Sequence, residues 1–141
     1  MPPRNSRKRR CSLWRPPRRW SRLRKQKPNA ITWAGVIAVV DDGGWSILLV
    51  RMDNAAYVAS VELALGKART AALFKKPSEA LEDAINHGRI AAVTARDFIE
   101  MKGGLPITVD GQVIGGIGAS FDTPEHDEQI AKAGLAAFLA K

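Results

Sequence analysis

The sequence predicts an α+β domain built on one mainly antiparallel sheet. Two pairs of short β-prone runs are each joined by a turn signal, at 35–50 and at 103–121. Three further segments have the periodicity or the end signals of helices. Two hairpins and three helices in one short chain are typical of an α+β fold with the helices packed on the sheet.

The second hairpin, GGLPITVDGQVIGGIGASF at 103–121, has the stronger signal. Its Asp110-Gly111 dipeptide lies between β-prone runs, a pattern that strongly favours a tight hairpin turn. Gly115, Gly116 and Gly118 leave one of its strands almost without side chains. Such clustering indicates that something lies close against the strand, either a packed helix or a flat ligand.

The first hairpin consists of GVIAVV at 35–40, the turn 41–44 and a second β run at 45–50. Its far end is Arg51-Met52-Asp53-Asn54. Opposite charges at a strand exit form either a surface ion pair that braces the loop or a contact to a ligand.

The clearest helix is predicted over 57–74. An apolar stripe recurs there at steps of three and four residues, at Val58, Val61, Leu65, Ala68 and Ala72. Lys67 has no acidic residue four positions before it, and it is interpreted either as part of a solvated face or as a site residue.

Two more helices have recognisable ends. Ser78 after Pro77 is a candidate N-cap, and Asn86-His87-Gly88 ends that helix. Thr123-Pro124-Glu125 supplies a capping threonine, a proline at the first helical position and an acid in the first turn. The segment 89–101 fits either a short helix pair or a loop.

The net charge of +8 is concentrated at one end of the chain. Residues 1–30 hold 12 of the 22 Lys and Arg and no acid, so the remainder carries 10 basic against 14 acidic groups, a net of −4. The predicted division is a basic, Pro/Arg-rich arm at 1–33 and a domain at 34–141. The arm is interpreted as disordered, and nucleic acid is an expected partner only if the arm is genuine coding sequence.

A frameshift is the other interpretation of the arm. Residues 13–32 can be back-translated with any permitted third base in each codon. If that DNA is then read in the frame that starts at the third bases, one solution encodes LAAAEAVVAAEEAKAKRNN. That peptide has the composition of an amphipathic helix.

Several kinds of chemistry lack their motifs. The chain has neither GxGxxG after a strand nor GxxxxGK[ST], and its single Cys11 has no cysteine partner. An iron porphyrin could take an axial ligand from His87, His126, Met52 or Met101. The sequence does not favour any one of these four residues.

The sequence predicts a cytoplasmic location without membrane contact. No apolar run follows Arg18-Arg19 as a signal peptide requires, and none reaches membrane-spanning length.

Five blocks in order resemble the GlcG/HbpS-type haem-binding family and the C-terminal domain of PduO-type corrinoid adenosyltransferases. They are AVVDDGG at 38–44, RMDNA at 51–55, ELALGKARTAALF at 62–74, the hairpin at 103–121, and DEQIAKAGLAAF at 127–138. The resemblance implies a profilin-like fold with about five strands, homo-oligomeric assembly, and haem or a related tetrapyrrole as the ligand of an accessory or sensor domain. An enzyme acting on a small metabolite or a tetrapyrrole is the alternative.

The chain departs from the family pattern before the first strand and after the second hairpin. Family members begin with an amphipathic helix where this chain has the arm, and they have glycine where Phe121 stands. No catalytic residue is proposed. The expected ligand-binding residues are those at the strand exit, on the first helix and along the second hairpin: Arg51, Asp53, Lys67, Gly103, Gly104, Gly116, Gly118, Ser120 and Phe121. Arg51 and Lys67 would pair with ligand carboxylates, and the glycines would admit a flat ring or a neighbouring subunit.

Overall fold

The computed structural model describes residues 33–140. Both interpretations of the basic arm therefore concern residues that lie outside the described part of the chain, apart from Trp33. Within that part, none of the helices is long and apolar enough to cross a membrane.

The described chain forms one antiparallel sheet with helices on both faces. The strands are β1 (Val36–Asp41), β2 (Ser46–Arg51), β3 (Gly104–Val109) and β4 (Gln112–Ser120). The helices are α1 (Ser60–Phe74), α2 (Glu79–Asn86) and α3 (Pro124–Leu139). The strand order is β2-β1-β4-β3, so the two predicted hairpins are joined side by side through β1 and β4. The α+β class is confirmed, with four strands in the described residues where the family resemblance implied about five.

Local sequence explains both hairpin turns. Asp110 and Gly111 have φ of 50° and 78°, the left-handed pair that a two-residue hairpin turn requires. In the other turn the Asp41 carboxylate accepts hydrogen bonds from the N–H groups of Gly43 (3.0 Å) and Trp45 (2.8 Å). Both turn predictions are confirmed.

Helix α1 lies directly on the glycine-rich face of β4. A Cβ added at Gly116 would overlap the carbonyl oxygen of Ala68, and one added at Gly118 would overlap that of Ala64. The same face of β1 contributes Val36, Ala38 and Val40 to a core cluster with Ala64, Ala68 and Ala72. Of the two explanations for the clustered glycines, close helix-on-sheet packing is the one that the structure shows.

Helix α3 packs on the opposite face of the sheet. Ala119, Phe121 and Ala131 are buried there, and Ile37, Met52 and Leu105 pack around them. Helix α3 contacts β3 and β4. The sheet is therefore the middle layer of the described domain, with α1 and α3 on either side.

Of the two predicted N-cap residues, Thr123 caps its helix and Ser78 does not. Thr123 caps α3 by accepting from the N–H of His126 (3.2 Å), as expected. Ser78 occupies the N-cap position of α2 but makes no capping hydrogen bond. Its hydroxyl instead donates to the carbonyl of Met101 (2.6 Å) and accepts from the N–H of Gly104 (2.8 Å), so it fastens the start of β3.

Two predicted boundaries also change. Helix α1 begins at Ser60, three residues after the predicted start, because 57–59 form a turn that precedes it. The ambiguous segment 89–101 contains a short 3₁₀ helix, Ile90–Thr94, followed by irregular chain.

Glu128 on α3 lies between two lysines, at 2.5 Å from Lys132 and 3.2 Å from Lys102. The hydrogen bond from Lys132, followed by that from Lys102, holds the pKa of Glu128 below its ordinary value. A depressed carboxyl pKa stabilises the fold above the ordinary pKa of 4.5, and that stabilisation is lost as the pH falls through the lower folded-state value.

We expect the wild-type melting temperature to fall more steeply than that of Glu128→Gln between pH ~5 and pH ~3, because only the wild type loses this carboxylate. Thermal unfolding followed by circular dichroism across that range measures both slopes. Parallel slopes would show that Glu128 contributes no pH-dependent stability.

Candidate functional site

The exit of β2 forms a shallow, open cavity of about 490 Å³, lined by Arg51, Met52, Asp53 and Asn54. The side chains of Arg51 and Asp53 are exposed, whereas Met52 is half-buried. The N–H of Met52 donates to the carbonyl of Gly35 (3.0 Å), which fixes the chain at the point where it leaves the sheet. The two charges predicted at this strand exit are therefore accessible on the surface.

An aromatic and sulfur cluster lies beneath this exit. Met52 and Trp33 both pack against the group that contains buried Phe121. The ring of Trp33 stacks on that of His126, with centroids 3.2 Å apart and an angle of 19° between the planes. The structure therefore brings two of the four candidate axial residues, Met52 and His126, to one end of the sheet, around Phe121 and Trp33.

The imidazole of His126 is oriented by an acid. Its Nδ1 lies 2.6 Å from Oδ1 of Asp122, and the side chain of His126 is 28% exposed. The hydrogen bond with His126 lowers the pKa of Asp122 below its ordinary value. A carboxylate on Nδ1 is the usual way to fix a histidine whose Nε2 binds a metal. The Asp122 contact thus holds the His126 ring through Nδ1.

The other two candidates lie elsewhere. His87 is exposed after α2, and its Nδ1 is 2.6 Å from the backbone oxygen of Asp83. Met101 is also exposed, before β3. Within residues 33–140, no group of three or more His, Cys, Asp or Glu could hold a metal ion.

Lys67 is buried, at 1% exposure, and its predicted alternative as part of a solvated face is wrong. Its ammonium lies 2.6 Å from Oδ2 of Asp127 and 3.3 Å from the carbonyl oxygen of Ala119. The second carboxylate oxygen of Asp127 accepts from the N–H of Phe121 (2.5 Å). Lys67 thus has a carboxylate partner within the chain, where a ligand carboxylate was expected.

The predicted glycines lie around this ion pair or under α1. Gly103 has φ of 117°, and a Cβ there would come within 2.6 Å of the Asp127 Cβ and 3.3 Å of the Lys67 ammonium. A Cβ at Gly104 would overlap the carbonyl of Lys67. Helix α1 fills the space over Gly116 and Gly118, so these glycines contact the helix backbone on that face of β4.

Ser120 and Phe121 also point into the protein. The hydroxyl of Ser120 donates to that of Ser60 at 3.1 Å, and Phe121 is 2% exposed. A Cβ at Gly35 would overlap the Phe121 ring, which explains a glycine at the start of β1. The predicted ligand-binding residues therefore form an exposed group at the β2 exit and a buried group around the Lys67–Asp127 pair.

Sequence reasoning missed two residues of this region. Trp33 was assigned to the arm, although its ring stacks on His126. Asp127 was not recognised as the partner of Lys67, from which it is separated by 60 positions. The one signal available was the lysine itself, which stands in a helix without an acidic neighbour to pair with.

Residues 22–136 match the family described as "Haem degrading protein HbpS-like". The chain is a member of the HbpS-like family. The matched span starts before the described domain and ends within α3.

Relatives of this HbpS-like chain include protein GlcG of Escherichia coli K12. The two are 47% identical over 88 residues, which cover 62% of this chain and 65% of GlcG. The chain thus spans slightly less than two thirds of that curated relative. The match therefore does not assign the activity of full-length GlcG to this chain.

Two solved structures share the fold. The Klebsiella pneumoniae protein ORFY, of family DUF336, has a TM-score of 0.76 and 33% identity, covering 88% of both chains. A complex described as PduOC:Heme has a TM-score of 0.72 and 28% identity, covering 85% of this chain and 89% of that one. The fold is therefore of the DUF336/HbpS type, and one of the proteins with this fold has been crystallised with haem.

Proposed function

We propose that this chain is a small-ligand-binding accessory or sensor domain and that its ligand is haem or a related tetrapyrrole. Membership of the HbpS-like family and the similarity to a haem complex support the ligand class. The observation that carries the proposal is the oriented histidine: Asp122 engages Nδ1 of His126 at 2.6 Å, and the ring lies beside Trp33.

The proposed site is the end of the sheet where β2 leaves and α3 begins. His126 would supply the axial nitrogen, and Met52 lies in the adjoining cluster. Trp33, half-buried and packed on the cluster that contains the buried Phe121, would offer apolar surface to a porphyrin ring. Arg51, exposed at the strand exit beside Asp53, would pair with a propionate. The buried Lys67, Gly103, Gly104, Gly116, Gly118 and Ser120 would support the fold around this site.

Haem titration of purified protein tests this assignment. We expect a saturable Soret shift for the wild type and for His87→Ala, the matched control at the other described histidine. His126→Ala should weaken binding at least ~10-fold, since it removes the axial nitrogen, and a tenfold loss corresponds to 1.4 kcal/mol. Equal affinity of His126→Ala and His87→Ala would overturn the assignment of His126. No saturable binding by folded wild type would overturn haem as the ligand.

An enzyme that degrades the bound tetrapyrrole is the second candidate, favoured by the description of the family as haem-degrading. The same titration distinguishes it, when a reductant and dioxygen are then added to the complex. A protein-dependent loss of the Soret band with turnover beyond one equivalent would assign a catalytic function. A stable complex would favour the accessory or sensor function.

A further inference from the structure

The first turn of α3 carries His126, the proposed axial residue, and the next residue along the chain turns into the protein. Thr123 holds both positions, because its hydroxyl accepts from the N–H of His126 (3.2 Å) and its carbonyl accepts from that of Asp127 (2.9 Å). Successive side chains on a helix point in directions about 100° apart. The side chain of His126 is 28% exposed, whereas that of Asp127 is 8% exposed. Because the two residues share one helical turn, a displacement of Asp127 also displaces His126.

The carboxylate of Asp127 joins three separate parts of the fold. Its Oδ1 accepts from the N–H of Phe121 (2.5 Å), directly after the end of β4. Its Oδ2 accepts from the ammonium of Lys67 (2.6 Å), which also donates to the carbonyl of Ala119 (3.3 Å). Lys67 belongs to α1 on one face of the sheet and Asp127 to α3 on the other. The ion pair therefore connects both helical layers to the end of β4.

The close approach of these layers depends on a glycine before β3. A Cβ at Gly103 would come within 2.6 Å of the Asp127 Cβ and within 3.3 Å of the Lys67 ammonium. A larger residue at this position would push the first turn of α3 away from the start of β3. The position of that turn is thus determined by contacts that are remote from His126 in sequence.

The same carboxylate also supports the acid that orients His126. Asp122 follows Phe121, and His126 precedes Asp127, so each member of the Asp122–His126 contact is one residue from a group that the Asp127 carboxylate holds. We propose that Lys67 and Asp127 are positioning residues of the ligand site, which hold the His126 ring in place through the first turn of α3. This inference rests on the proposed function, in which His126 is the axial residue.

The double variant Lys67→Met/Asp127→Leu tests this role without leaving a buried charge unpaired. It also removes the acceptor for the N–H of Phe121, so the first turn of α3 loses both of its remote contacts. We expect haem to bind ~10- to 100-fold more weakly than to the wild type, the usual effect of losing an outer partner of a metal-binding histidine. Lys132→Met is the matched control, because it breaks an exposed ion pair on the same helix, and it should leave the affinity unchanged.

Proton NMR of the ligand-free protein reports the position of His126 independently of haem. The chain has two histidines, and the ring of Trp33 stacks on that of His126 with 3.2 Å between centroids. The ring current of Trp33 should shift the His126 resonances upfield of those of His87. In the folded double variant we expect the His126 resonances to move towards those of His87, which should stay in place. A contribution to stability alone would leave both sets of resonances unchanged, because the folded protein is observed in either case.

The two readouts separate failure of the positioning role from failure of the proposed ligand. Unchanged His126 resonances in a folded double variant would overturn the positioning role, as would moved resonances with wild-type haem affinity. Moved resonances, together with no saturable haem binding by the wild type, would support the positioning of His126 and overturn only haem as the ligand.

Gly103→Ala reaches the same turn while both charges are retained. Its methyl group should displace Asp127, so we expect the His126 resonances and the haem affinity to change as in the double variant. Gly111→Ala is the matched control, because its φ is also positive, at 78° against 117°, but no described atom lies within 4 Å of a Cβ there. Wild-type His126 resonances in a folded Gly103→Ala protein would overturn the proposal.

Discussion

Replacing Asp127 by alanine is expected to destabilise the domain by about 3–5 kcal/mol, the usual cost of leaving one member of a buried ion pair without its partner. The side chain of Lys67 is 2% exposed and that of Asp127 is 8% exposed. The substitution would strand the ammonium and also remove the acceptor for the N–H of Phe121. Because the Lys67 ammonium and the Phe121 N–H are both buried, water cannot replace the hydrogen bonds that they lose.

Urea unfolding of the variant and the wild type measures this difference. Lys132→Ala is the matched control, because it removes an ion pair whose lysine is 62% exposed, and its effect should stay below about 1 kcal/mol. The double variant Lys67→Met/Asp127→Leu should recover much of the loss, since no buried charge remains. An Asp127→Ala variant as stable as Lys132→Ala would contradict the buried pair.

Gly118→Ala is expected to cost about 1–3 kcal/mol, although it adds a single methyl group. The new Cβ would overlap the carbonyl oxygen of Ala64 and come within 2.6 Å of the amide nitrogen of Ala68. Both are backbone atoms of α1, which cannot rotate away as a side chain can. Helix and sheet would have to separate along the central packing surface.

Gly43→Ala provides the same chemical change where the neighbour can yield. Its Cβ would meet the ring of Trp45 at 3.2 Å, and that side chain is 76% exposed. Thermal unfolding should show a clear loss for Gly118→Ala and little change for Gly43→Ala. Equal melting temperatures for the two variants would contradict the helix contact at Gly118.

Local chemistry was sufficient to predict most of the elements. The Asp110-Gly111 turn, the Thr123 cap and the apolar stripe of α1 from Val61 onward each depend on residues within a few positions of one another. The prediction for Val58 is wrong, because this residue precedes α1 and is 84% exposed. Local sequence does not predict the role of Ser78, because its hydroxyl forms hydrogen bonds with Met101 and Gly104, both remote in sequence. An N-cap residue type predicts where a helix begins but does not determine what its hydroxyl binds.

The candidate site depended more on distant contacts, and less of it could be predicted. Arg51 and Asp53 were singled out as charges at a strand exit, which is a local signal. The pairing of Lys67 with Asp127 and the stacking of Trp33 on His126 each join separate parts of the chain. One sequence supplies the residue types but not the partners, because only the folded sheet brings them together.

The position of β1 in the sheet has a consequence for biosynthesis. This strand pairs with β2, its neighbour in sequence, and with β4, where Val36 lies opposite Ser120. Much of the surface that α1 must cover is contributed by β4. On the ribosome, the first hairpin and α1 therefore emerge well before their main packing partner is made. The domain can close only after β4 has been made, and until then the nascent chain depends on whatever shields its apolar residues in the cell.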